Sequence, residues 1–76
     1  MTDTTFIECS VYALVDGDPY CKIASGMGEA MDLLDPKDVS FEDWCVAFDS
    51  VIADEWTDYI RIMNKYGYRN VHVTNC

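Results

Sequence analysis

Acidic side chains recur along residues 41–66, a segment in which apolar residues three and four apart predict one long helix. The side of this helix opposite its apolar residues would carry Glu42, Asp43, Asp49, Asp54 and Asp58. The acids from position 49 to position 58 would be about 6–8 Å apart along the helix axis. Phosphates of duplex DNA are spaced by about 3.4 Å per strand, so these carboxylates would match roughly every second phosphate. The spacing favours docking on a basic surface by mimicry of a nucleic acid, and the alternative is an ordinary solvated helix face.

A second surface that could bind a partner is the outer face of a predicted β-sheet. It would carry large apolar and aromatic side chains, namely Phe6, Tyr12, Leu14, Tyr20, Tyr68 and His72. Contiguous apolar patches mark association sites, and tyrosine is enriched in protein interfaces. The aromatic anchors of a complex or of a homodimer are therefore predicted to be Tyr12, Tyr20, Trp44 and Tyr68. Ordinary partial exposure of the sheet is the alternative.

The cysteines and the single histidine do not have the spacing of a metal or catalytic site. Cys9, Cys21, Cys45 and Cys76 form no C-x-x-C pair, whereas a structural zinc site normally contains such close pairs. His72 is expected on the sheet face opposite Cys9 and Cys21, which argues against a Cys–His nucleophile. No glycine-rich phosphate loop and no hydrolase or metalloprotease motif occurs. We expect a non-enzymatic protein without cofactor or metal, whose thiols are reduced and, except for that of Cys76, pack in the core.

The charge balance narrows the range of partners. The chain has 14 acidic and 5 basic residues, a net charge of −9 at pH 7, and none of its acids follows Asp58. This charge argues against direct binding to nucleic acid or to an anionic membrane. No apolar run reaches the roughly 18 residues of a membrane span, and the N-terminus lacks the features of a secretory signal peptide. These observations predict a cytoplasmic protein.

In size and charge the chain resembles the small acidic inhibitors that bacteriophages use against host nucleases, CRISPR complexes or polymerases. The resemblance covers composition alone and identifies no site residue. It implies an inhibitor of the anti-CRISPR kind, which covers a basic, nucleic-acid-binding surface of a protein in a bacterial host. The alternative is a self-associating structural or regulatory module that dimerises through the aromatic sheet face.

The elements that would position these residues begin with a β-hairpin, made of a strand at 5–15, a turn at 16–19 and a strand at 20–25. Apolar residues alternate along the first strand, which indicates one buried face. An odd-length loop would pair Ala13 with Cys21 and Val11 with Ile23, which unites the apolar sides of the two strands.

Two helices and a third strand are predicted after the hairpin. The first helix ends before Pro36 and would bury a stripe made of Met27, Ala30, Met31 and Leu34. The second would start at an N-cap, Ser40, and bury an apolar arc made of Phe41, Trp44, Cys45, Phe48, Val51, Ile52, Trp56, Tyr59 and Met63. Because a helix over 41–66 would be about 39 Å long, we expect it to overhang, bend or break near Ala53–Glu55, with its last turns the least supported part of the core. Residues 68–74 predict the third strand.

These predictions describe one domain, residues 1–76, of the α+β class. A small three-stranded antiparallel sheet, made of the N-terminal hairpin and a C-terminal strand, would pack on two helices in the order β-β-α-α-β.

Overall fold

The structure, a computed structural model that describes residues 9–75, begins with the predicted β-hairpin. Strand β1 spans Cys9–Val15 and strand β2 spans Asp18–Ser25. Cys9, Val11 and Ala13 in β1 are buried, which confirms the predicted core face at these positions, whereas Val15 at the end of the strand was predicted on the same face and is 38% exposed. The predicted strand residues 5–8, Phe6 among them, lie outside the described residues.

The connection between β1 and β2 is a two-residue turn at Asp16-Gly17 instead of the predicted loop of odd length within residues 16–19. The φ angle is 50° at Asp16 and 85° at Gly17. Two successive positive φ angles give a turn whose twist matches that of the flanking strands. Glycine adopts such an angle without steric cost, which explains the residue at position 17.

The register of the hairpin differs from the prediction in one pair. Ala13 pairs with Cys21 as predicted, but Val11 pairs with Ala24. The predicted Val11–Ile23 pair was wrong because β2 carries a bulge at this point, where two of its residues oppose one residue of β1. The bulge brings Ala24 into the core and leaves Ile23 half-buried.

Strand β3, His72–Asn75, pairs antiparallel with β1, so the sheet order is β2-β1-β3. The sequence predicted that this strand would begin at position 68. In the structure β3 begins later, because Asn70 has a φ of 55°, a left-handed angle that interrupts an extended chain. Val71 is buried and Val73 is half-buried, in agreement with their predicted inward direction.

Helix α1 spans Gly26–Asp32, and a 3₁₀ turn follows at Asp35–Lys37. Pro36 lies in the first turn of this 3₁₀ segment, where its missing N–H has no helical acceptor to lose. Three residues of the predicted core stripe are fully or almost fully buried: Ala30, Met31 and Leu34.

The predicted long helix is two helices, α2 at Phe41–Ile52 and α3 at Thr57–Lys65. Ser40 caps α2 as predicted, because the backbone N–H of Asp43 donates to its Oγ over 3.2 Å. The chain breaks at residues 53–56, where a break was expected. Asp54 takes a left-handed φ of 56° there, and this angle ends the helical path.

The hydroxyl of Ser50 links the two helices across the break. Ser50 lies in α2, is 5% exposed, and donates to the backbone carbonyl of Glu55. The same hydroxyl accepts from the backbone N–H of Tyr59 over 3.2 Å. This N–H belongs to the first turn of α3, where backbone donors have no partner within the helix. A side chain of α2 therefore caps α3.

Helix α3 contains several of the best buried residues of the chain, although its turns were predicted to be the least supported part of the core. Tyr59, Ile62 and Met63 are fully buried, and the Tyr59 hydroxyl donates to the carbonyl of Ala30 over 2.7 Å. The prediction of weak support was wrong because the break directs α3 into the core. Burial raises the pKa of Tyr59, so its hydroxyl stays a neutral donor.

The architecture is the predicted α+β fold in the order β-β-α-α-β, with the second helical segment divided into α2 and α3. Within residues 9–75, no helix combines the length and the apolar character that crossing a membrane requires.

We expect Ser50→Ala to lower the free energy of unfolding by about 1–3 kcal/mol, because the Tyr59 N–H loses its acceptor in a buried position. Thr57→Ala, at the exposed start of α3, is the matched control and should change this free energy by less than about 0.5 kcal/mol. Urea unfolding followed by circular dichroism measures both. Equal effects of the two substitutions would contradict the linking role of Ser50.

Candidate protein-binding surface on the second helix

Helix α2 packs on the core through only part of the side that the sequence predicted. Its buried residues are Ala47, Ser50 and Val51. Within the predicted core arc, Val51, Trp56, Tyr59 and Met63 are buried as expected, whereas Phe41 is 80% exposed, Ile52 51% and Phe48 36%. The prediction was wrong for these last three residues because it gave residues 41–66 a single apolar side. The break lets α3 fill the core, while α2 packs through its smaller residues.

Five apolar residues on one side of α2 form what we call the α2 stripe: the exposed Phe41, Phe48 and Ile52 and the half-buried Trp44 and Cys45. Their spacing of three and four places them within an arc of roughly 100° around the helix. Trp44 also packs against the edge of the core. The rings of Trp44 and Phe48 stack, with centroids 5.1 Å apart and an angle of 14° between their planes. This stacking gives the stripe a preformed aromatic centre.

Two of the predicted acidic site residues, Glu42 and Asp49, border the α2 stripe. Both are exposed, and helical geometry places both about 80–100° around the axis from Phe41, along the same edge. Neither carboxylate has a hydrogen bond or ion pair within the part of the chain that the structure describes. The edge therefore presents uncompensated negative charge beside an apolar surface.

Asp43, a third predicted site residue, belongs to an internal clamp between the start of α2 and the end of α3. Its Oδ2 accepts from Lys65 Nζ and from the Tyr66 hydroxyl, each over 2.7 Å. The backbone N–H of Ser40 donates to the same Tyr66 hydroxyl over 3.3 Å. The hydrogen bond from Lys65, followed by that from Tyr66, lowers the pKa of Asp43 and keeps it ionised. This carboxylate is already compensated by a cation, so it offers less charge to a partner.

The remaining predicted acids, Asp54 and Asp58, lie outside α2. Asp54 is in the break, where its Oδ1 accepts from Trp56 Nε1 over 3.0 Å. Asp58 is in the first turn of α3 and contacts Arg61 over 3.4 Å, an exposed pair of small energetic weight. The predicted even row of carboxylates was wrong because its spacing assumed one continuous helix axis.

The outer face of the sheet gathers only part of the predicted aromatic set. The rings of Tyr12 and His72 stack with centroids 5.3 Å apart, and Tyr20 meets His72 edge-on at 5.3 Å. Tyr68 lies elsewhere, because its hydroxyl donates to the carbonyl of Leu33 over 2.8 Å on the helical side. Its predicted position on the sheet was wrong because the chain does not enter β3 until His72.

The thiols within residues 9–75 occupy two different settings and form no disulfide. Cys9 is buried in the core as predicted, whereas Cys21 and Cys45 are half-buried and do not belong to the core in which they were predicted. Cys76 lies outside the described residues. In that same described part of the chain, no group of three or more His, Cys, Asp or Glu side chains could hold a metal ion.

Comparison with known proteins finds no match, whether to a family model, to a curated protein or to a solved structure.

We expect Asp43→Asn to reduce the dependence of stability on acid. The lowered pKa of Asp43 stabilises the fold above the unfolded-state pKa of about 3.9, and this stability is lost as the pH falls through the folded-state value. The variant should have a lower Tm at neutral pH and a smaller further loss of Tm on acidification. Thermal unfolding across the pH range measures this, with Asp58→Asn as the control. A variant that keeps the wild-type acid dependence would show that the clamp does not contribute.

Because the α2 stripe faces outward, truncating one of its exposed residues should reduce the free energy of unfolding less than truncating a residue on the buried side of α2. Phe41→Ala should change the free energy of unfolding by less than about 0.5 kcal/mol, although it removes a whole ring. Val51→Ala, which removes less volume from a fully buried site on the same helix, should cost about 1–3 kcal/mol. Urea unfolding compares them, and the reverse order would show that the stripe is part of the core.

Proposed function

We propose that this chain is a non-enzymatic binding protein that inhibits a partner protein by docking the α2 stripe on it. The partner's surface would combine an apolar groove with Lys or Arg side chains along one side. The single observation that carries the proposal is the exposure of an aromatic stripe on a helix whose other side already packs in the core.

The α2 stripe has the composition of a binding hot spot. Aromatic side chains supply most of the energy in many interfaces, and tryptophan is the most enriched of them. Trp44 is half-buried and stacked on Phe48, so it is already ordered and would lose little conformational entropy on binding. Phe41 and Ile52 extend the apolar surface toward the two ends of the helix. This is the pattern of an amphipathic helix that enters a groove.

Charge complementarity argues for a basic partner. The exposed carboxylates of Glu42 and Asp49 lie along one edge of the stripe, and the chain as a whole has a net charge of −9. A second copy of the chain would bring the same charge to the interface, so like-charge repulsion disfavours a homodimer through α2. A partner with a basic rim would be attracted over a distance and held in one orientation.

The net negative charge of the chain is the reason for proposing that it inhibits its partner. A partner with a strongly basic groove commonly binds nucleic acid there, and an acidic protein seated on that groove would compete with the nucleic acid. This competition does not require a regular row of carboxylates. The break between α2 and α3 interrupts the row that a continuous helix would have carried. In this proposal the chain acts in the cytoplasm of a bacterial host, as phage inhibitors of host machinery do.

Site-specific crosslinking tests the docking surface. The photoreactive residue p-benzoylphenylalanine would replace Phe48 in one variant and Asp32, an exposed position on α1, in the other. Irradiation in a bacterial lysate followed by mass spectrometry should identify a protein that crosslinks from position 48 and not from position 32. Equal crosslinking from both positions would contradict docking through α2.

The purified partner then allows the energetics to be measured by titration calorimetry. Trp44→Ala should weaken binding by about 30-fold, the effect of losing a hot spot of about 2 kcal/mol. Glu42→Lys with Asp49→Lys should also weaken binding, and the wild-type affinity should fall as salt is added. Asp32→Lys with Asp35→Lys makes the same change in net charge at exposed sites away from α2, and it should have a smaller effect.

The alternative function, self-association through the sheet, has its own support in the exposure of Tyr20 and Leu14 on that face. Sedimentation velocity distinguishes the two. A concentration-dependent dimer that Tyr12→Glu breaks and Trp44→Ala leaves intact would favour the alternative. A monomer at all concentrations, together with the position-specific crosslink, favours the inhibitor.

A further inference from the structure

The tyrosines of this chain divide into two groups by what their hydroxyls contact. Those of Tyr59, Tyr66 and Tyr68 each donate to an internal acceptor. The hydroxyls of Tyr12 and Tyr20 have no hydrogen-bond partner within residues 9–75, and Tyr20 is 71% exposed. Both unpartnered hydroxyls belong to the sheet, on the strands β1 and β2. Tyrosines with one apolar side and one open polar tip are typical of binding surfaces.

An open cleft of about 390 Å³ lies beside Tyr20. Its lining residues are Pro19, Tyr20, Asn70, Val71 and His72. Tyr20 and His72 are held at an angle of 71° between their ring planes, and Tyr12 supports His72 from one face by parallel stacking. The cleft therefore has two aromatic walls at a wide angle, one of them braced by a third ring.

Polar groups lie in and beside this cleft. The backbone carbonyl oxygen of Asn70 lies 3.1 Å from His72 Nδ1 and can only accept, so Nδ1 is the donor of this hydrogen bond. Asp18 directly precedes the lining residue Pro19, and its Oδ1 accepts from the backbone N–H of Tyr20 over 3.0 Å. This contact holds a carboxylate next to the backbone of Tyr20. Asp16 adds a second exposed carboxylate in the adjoining turn.

The nearest cations of the chain do not occupy the cleft. Arg69 directs its guanidinium to the carbonyls of Asn64 and Tyr68, over 3.0 and 3.3 Å, at the end of α3. Lys22 pairs with Tyr12 across the hairpin and is not among the residues that line the cleft.

We infer that this cleft binds the guanidinium group of an arginine side chain presented by a partner. A guanidinium is planar and cationic, so it can stack on the Tyr20 ring while its N–H groups reach the Asp18 carboxylate. An ammonium group matches the charge but not the plane, and it donates from a single point. The site lies on the sheet and shares no residue with the α2 stripe, so it does not depend on the proposed function of α2.

Nuclear magnetic resonance titration of the labelled protein at neutral pH tests the site with a defined probe. The probe is the tripeptide acetyl-Gly-Arg-Gly-amide, compared with peptides in which lysine or the neutral isostere citrulline replaces arginine. The arginine peptide should shift the signals of residues 19–20 and 70–72, with a Kd on the order of millimolar. Lysine should bind about two- to fivefold more weakly, and citrulline should give no saturable shift.

Variants separate this site from general attraction to an acidic protein. Tyr20→Leu removes an exposed ring and should abolish saturation at residues 70–72. Asp18→Asn keeps an acceptor for the Tyr20 N–H but removes the charge, so it should weaken binding. Asp32→Asn is the matched control for a lost carboxylate and should leave the affinity unchanged, as should Phe48→Ala on α2.

Three results would overturn the inference. Equal affinity for the lysine peptide would show that the site does not recognise a guanidinium plane. Saturable binding of the citrulline peptide would show that the cleft recognises something other than the positive charge. Shifts centred on Glu42 and Asp49, and unaffected by Tyr20→Leu, would show that arginine binds the acidic edge of α2 instead.

Discussion

The hydrogen bonds of one buried hydroxyl, that of Ser50, hold the rest of this small fold in place. They join α2 to the start of α3 across a break that Asp54 makes with a left-handed φ. Without the break, a single rod of this length would extend beyond so small a domain. With it, Tyr59, Ile62 and Met63 reach the core, and the clamp of Asp43 with Lys65 and Tyr66 closes the opposite ends of the same two helices.

The burial of α3 determines the surface that α2 presents. Because α3 supplies large core residues, α2 contributes the small side chains Ala47 and Ser50 together with Val51, and its Phe41, Phe48 and Ile52 remain on the outside. Leaving such residues in water forgoes the stabilisation that burial provides, at about 25 cal/mol per Å² of apolar surface. The free energy not gained in folding can be gained on binding, and the carboxylates beside the stripe favour a partner that is basic. The sheet presents a second, chemically different surface, in which the rings of Tyr12, Tyr20 and His72 meet.

Much of the fold could be predicted from local signals in the sequence. The predictions that were wrong concern features that depend on long-range packing. The structure has a turn at Asp16-Gly17 and a helix start after the N-cap Ser40, as the local sequence indicates. It also has a break within residues 41–66, where a continuous helix would have been improbably long. The bulge in β2 and the burial of α3 depend on which side chains meet in three dimensions. The direction of the α2 stripe has the same origin, because apolar residues three and four apart look alike whether they face a core or a partner. Of the three residues of α2 that pack in the core, Val51 belonged to the predicted arc, whereas the small residues Ala47 and Ser50 did not.

In the isolated chain, α2 turns Phe41, Phe48 and Ile52 to solvent. Attenuation of side-chain signals by a soluble gadolinium chelate, measured at low protein concentration, tests this orientation directly. We expect strong attenuation for these three residues and protection of Val51 on the same helix, as well as of Ile62 and Met63 on α3. Protection of Phe48 and Ile52 equal to that of Val51 would show instead that the stripe is part of the core.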